Sequence, residues 1–169
     1  MKRNTSILKT LLVTLPSLGL FLAPNSVWAG SRIYDGQDTC TGINCGAVFI
    51  NGTPQRNSNG DSDPFTIQVH SDGNQCMRLD VTGQNDDMAI VLISPNGRVW
   101  ANDDFNGTRP LIKAITNVDG FYTVQINRFN GLQPVYNTQG FTLAYGLYNN
   151  GNPNCSSPTA PIFNGYSPK

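Results

Sequence analysis

The chain has 169 residues, and a leader-like opening of 29 leaves about 140 to fold, enough for one domain and too few for two. Beyond that opening, eight Lys and Arg face eleven Asp, a charge near −3 that excludes an electrostatic nucleic-acid footprint. There is no Glu, a single His and only 13% charged residues, so acid–base chemistry would have to be built almost entirely from Asp.

Residues 1–29 read as a signal peptide. Lys2, Arg3 and Lys9 form a basic start, residues 11–23 an apolar centre, and Val27 and Ala29 place small side chains before a predicted cleavage after Ala29. The apolar run is interrupted by Pro16 and Gly19 and is shorter than the roughly 20 residues a membrane span needs. The expected destination is secreted or periplasmic, with no membrane span. Residues 30–60 follow as an N-terminal extension with a cysteine loop and a first strand.

Four cysteines lie beyond the leader, an even number in an exported chain, and two disulfides are the natural reading. Three connectivities are open. Cys40 and Cys45 bracket a four-residue loop, which favours Cys40 with Cys45 and Cys76 with Cys155. The entropy removed from the unfolded chain is worth about 2 kcal/mol for the small loop and about 4.5 kcal/mol for the large one. Zinc is disfavoured, because no Cys-x-x-Cys pair or nearby His is present.

Asn-Gly and Asp-Gly pairs punctuate the rest of the chain and suit the positive φ of hairpin turns. Between them lie eight short apolar runs: 46–50, 65–70, 75–81, 88–93, 98–101, 111–116, 121–127 and 141–148. Period-two alternation turns Phe65, Ile67 and Val69 one way and Thr66, Gln68 and His70 the other. The same test places Met77, Leu79 and Val81 inward, then Tyr122, Val124 and Ile126, then Phe141, Leu143, Tyr145 and Leu147. The run 88–93 lacks alternation and reads as a strand covered on both faces. About eight strands at this spacing predict an all-β, antiparallel, jelly-roll-like sandwich, since a single sheet would leave half of these apolar faces wet. Residues 149–169, rich in Pro and Asn, form a tail without strand periodicity.

Three sets of side chains are candidates for function. His70 is the only imidazole and stands next to Ser71 and Asp72, but turn neighbours point apart, and a solvated strand-end histidine is the expectation. Asp86 and Asp87 precede one strand, and Asp103 and Asp104 follow the next. A hairpin would bring both pairs to one edge, where Asn85 and Asn102 could add oxygens for calcium, although Asp and Asn also initiate turns without any ion. Asp61 and Asp63 are weaker ligands. Trp100 and Phe105 are candidate binding aromatics, Trp100 being either an exposed platform or a core residue.

The stretch 61–148 resembles the bacterial pre-peptidase C-terminal domain, related to clostridial collagen-binding domains. The resemblance rests on Asp63 and Phe65 opening a strand, on Asp87 before a core strand that ends in Pro95-Asn96-Gly97, on Asn102 to Asp104, and on Gly120 to Tyr122. It implies a non-catalytic accessory or binding module that engages an extracellular protein or polysaccharide. Its bacterial affinity sets aside the sequons at Asn51, Asn106 and Asn154. The rival expectations are a small secreted hydrolase using Asp residues and a purely structural envelope protein.

Overall fold

The computed structural model describes residues 42–56, 62–129 and 140–165; the leader, Cys40 and Asp61 lie outside them. In chain order the strands are β1 (Val48–Gly52), β2 (Gln55–Arg56), β3 (Ser62–Asp63), β4 (Phe65–Asp72), β5 (Gln75–Gln84) and β6 (Met88–Ile93). They continue with β7 (Arg98–Asn102), β8 (Leu111–Thr116), β9 (Asp119–Arg128), β10 (Phe141–Asn149) and β11 (Phe163–Asn164). Each of the eight apolar runs contributes a strand, although the first begins only at Val48 and runs on to Gly52. No helix among the described residues is long and apolar enough to cross a membrane.

Two antiparallel sheets form the predicted sandwich, one in the order β1-β10-β5-β8 and the other β11-β7-β6-β9-β4, with β2 and β3 as a small separate hairpin. Alternation decides what lies between them. Leu79, Val81, Ile112 and Tyr145 from the first sheet meet Val69, Ile90, Leu92, Trp100 and Val124 from the second in one core. β5 and β10 carry a bulge, Thr142 opposing Gly83 and Leu143 opposing Val81, which leaves Thr82 as the extra residue.

Two motif elements meet through a glycine. Gly120 has φ of 138° and a Cβ there would lie 2.9 Å from Pro95 Cγ, so the turn after β6 seats on the start of β9 only if position 120 lacks a side chain.

The strands covered on both faces are not the ones expected. β6 alternates, Met88, Ile90 and Leu92 inward and Ala89, Val91 and Ile93 partly exposed on the outer face, where an open groove runs beside Phe129. β8 is instead nearly continuously buried and β10 is buried from Leu143 to Tyr148. The cover comes from the tail and from the turn at Asn44 and Cys45, whose carbonyl accepts from the Tyr148 hydroxyl on β10. Cys155 bonds to Cys76 on β5, and the Lys113 ammonium on β8 donates to the Ser156 carbonyl. Thr159 N–H then donates to the Lys113 carbonyl and Ile162 N–H to that of Val99. With β11 on β7, the tail straps the β7 and β8 edges of both sheets. Beneath it Cys76, Tyr148 and Cys155 form a second apolar cluster with Ile115. Cys45 is also disulfide-bonded, and its expected partner Cys40 lies outside the described residues.

Candidate functional site

The end of the sandwich where β5 passes into β6 collects the loops 85–87 and 103–110 and the termini of β1, β9 and β10. Local hydrogen bonds knit these loops together. Phe129 N–H donates to the Asp87 carbonyl and Asn85 N–H to that of Gly140. Leu111 N–H donates to Asn102 Oδ1 at 2.8 Å, and Gln84 Nε2 to the Thr108 carbonyl at 2.8 Å.

Both Asp pairs come to this end, as their spacing predicts. The first member of each makes a turn bond: Asp86 Oδ1 accepts from Asp87 N–H at 2.9 Å and Asp103 Oδ1 from Asp104 N–H at 3.1 Å. Asp86 also pairs with the Arg128 guanidinium. Asp87 is held above the usual carboxylate range, first by burial and then by repulsion from Asp104, Asp103 and Asp86. Its Oδ1 is buried without a hydrogen-bond donor. Among the described residues no three His, Cys or Asp side chains converge on a common metal position. Asp63 is exposed and stands apart on β3.

Two grooves flank this acidic ridge. One, of about 450 Å³, is lined by Asn51, Thr53, Gln84, Asn85 and Thr142, with Gly52, Gly83, Gly140 and Phe141 between them. The other, of about 340 Å³, runs over the outer face of the second sheet between Ala89, Val91, Ala101 and Phe129, with Asp103 at its rim. Sequence reading missed the first groove. Its one signal was Gly83, a glycine inside an alternating strand, which marks a bulge or a close backbone approach.

The aromatic pair separates. Trp100 is 2% exposed and packs on Tyr122 with centroids 6.5 Å apart, so it offers no platform to solvent; alternation on β7 turns Val99 and Ala101 outward in its place. Phe105 is 57% exposed in the β7–β8 loop, and the Lys113 ammonium lies 5.5 Å from its ring centroid. Burial, followed by repulsion from Arg78, lowers Lys113 below the ordinary lysine range.

His70 sits at the opposite end of the sandwich, on the outer face, with Nδ1 3.5 Å from Asp72 and Nε2 3.2 Å from Asp119. Its ring meets Phe121 edge-on. Ser71 points the other way, into the core, where its hydroxyl bonds Thr116 and Gln75. Asp119 reads in the sequence only as an Asp-Gly turn pair, because only the β4–β9 register brings it across from Asp72 and next to His70.

No protein-family model matches the chain, and no curated protein matches it significantly.

Proposed function

We propose that this chain is an exported, non-catalytic binding module of the pre-peptidase C-terminal type, and that it engages an extracellular protein or polysaccharide through its loop end. One relationship carries the reading: the two grooves described above and the sole imidazole of the chain lie at opposite ends of the described sandwich. Both ring nitrogens of His70 face carboxylates, the neighbouring Ser71 hydroxyl is turned into the core, and Cys76 and Cys155 are oxidised. The Cys76–Cys155 bond suits an oxidising compartment, in keeping with the leader read from the sequence. Gly120 and Pro95, two residues on which the resemblance rests, pack against each other.

The test is to incubate the disulfide-intact protein with immobilised polysaccharides and extracellular proteins, and in parallel with chromogenic esters, peptides and glycosides. Retention without turnover is expected. Turnover abolished by His70→Ala, or by Asp87→Asn with Asp104→Asn, would establish the hydrolase instead.

A second reading concerns calcium at the acidic ridge. The buried, donorless Oδ1 of Asp87 favours it, since a cation would supply the charge this oxygen lacks. A melting temperature that rises with added calcium and falls with EDTA supports it; one indifferent to both removes it.

A further inference from the structure

We infer that the groove between Asn51, Gln84 and Thr142 is a binding site for an uncharged polysaccharide chain, a deepening that rests on the chain being a binding module. Two of the groove's glycines are required neither by a positive φ nor by a close steric contact. Neither Gly83 nor Gly140 has a positive φ. A Cβ on Gly83 would meet Thr142 at 3.7 Å, and one on Gly140 would meet the Gly52 carbonyl at 3.6 Å, both ordinary contacts. Gly52 differs, since a Cβ there would strike the Phe141 ring at 2.5 Å. Glycine weakens a strand interior. At positions 83 and 140 its effect is to leave the groove open and the backbone accessible beside Thr142 and Thr53.

The lining sets the ligand class. None of its nine residues is charged, and its polar groups are amides and hydroxyls, which both donate and accept as sugar hydroxyls do. An anionic chain would find no Lys or Arg among the lining residues to pair with. The groove is open to solvent and not enclosed, which admits a polymer chain as a pocket closed around a monosaccharide would not. Thr142 Oγ1 already donates to its cross-strand neighbour Asn51 Oδ1 at 2.8 Å, so these two side chains are held in position before a ligand arrives.

The experiment is affinity electrophoresis of the exported, disulfide-intact protein through gels containing soluble starch, laminarin, xylan, galactomannan or dextran, with polygalacturonate and gelatin as gels of other classes. At least one neutral polysaccharide should retard the protein. Gly83→Ala and Gly140→Ala should each weaken that retardation at least about tenfold with no fall in melting temperature, and Asn51→Ala about two- to tenfold. His70→Gln, at the far end, should migrate as wild type. Equal retardation of wild type and both glycine variants would overturn the groove while leaving a binding module. Retardation by gelatin or polygalacturonate alone would overturn the ligand class, and retardation by none of the gels would overturn the inference outright.

Discussion

Arg78 on β5 and Asn154 in the C-terminal turn, 76 positions apart, are joined by a hydrogen bond from the guanidinium Nη1 to the Asn154 carbonyl at 3.1 Å. The same guanidinium donates through Nε to Asn44 Oδ1 at 2.8 Å and through Nη2 to Asp80 at 2.8 Å. Asn154 Oδ1 in turn accepts from Asn44 N–H. One side chain thus pins both ends of the described chain onto the outer face of the first sheet.

Arg78→Ala should lower unfolding stability by about 2–3 kcal/mol in urea titrations, because it removes the cation beside Asp80, which keeps Asn44 Nδ2 as a donor, and the guanidinium bonds to Asn44 and the Asn154 carbonyl in a largely buried layer. Arg78→Lys should recover only part of this, since an ammonium cannot reach three acceptors in the planar guanidinium arrangement. A loss below about 0.5 kcal/mol for the Ala variant, the size of an ordinary surface change, would contradict the pinning role.

The Cys76–Cys155 bond closes a separation of 79 residues, and replacing both cysteines by Ser should cost about 2–5 kcal/mol. The loss should be local as well as global. With the tie to β5 gone, limited proteolysis should cut within 156–165 before any site in β4–β10. Simultaneous cleavage throughout would mean that the strap and the sandwich unfold as one unit.

Asp87 is a carboxylate whose charge the fold resists. Its folded pKa lies above its unfolded value, so the penalty is absent where both states are protonated and complete once the pH exceeds the folded pKa. In EDTA, Asp87→Asn should therefore raise the melting temperature at neutral pH, and the advantage should shrink as the pH falls through the carboxylate range. A variant that melts lower than wild type in calcium but higher in EDTA would place an ion on this carboxylate.

Trp100 is the sole tryptophan beyond the leader and is 2% exposed. Its fluorescence should resist acrylamide quenching until the sandwich unfolds. Trp100→Ala should cost about 3–5 kcal/mol from the cavity it leaves against Tyr122. Ready quenching of the native protein would place the indole outside the core.

Gly120→Ala should destabilise by about 1–3 kcal/mol, from the left-handed φ and from the contact with Pro95 Cγ. Pairing it with Pro95→Ala should relieve part of the loss. Full additivity in a double-mutant cycle would mean that the two positions do not meet.

By itself the sequence determined the class of fold and most of its strands, because the period of two along a strand and the turn chemistry of Asn-Gly and Asp-Gly are local properties. The inward set of β4, β5, β9 and β10 was legible for that reason, and so was the gathering of Asp86, Asp87, Asp103 and Asp104, which needs only a hairpin. Tertiary structure decided what lies on the outside of each sheet. A run such as MAIVLI is equally apolar whether or not a second layer covers it, and only the strap from Cys155 to Asn164, reaching across from β8 to β7, made β8 the doubly buried strand and left β6 half open. The groove lined by Asn51, Gly83 and Thr142, the Arg78 network and the Asp119 partner of His70 all join residues separated by dozens of positions, where periodicity carries no information and packing alone chooses the neighbours.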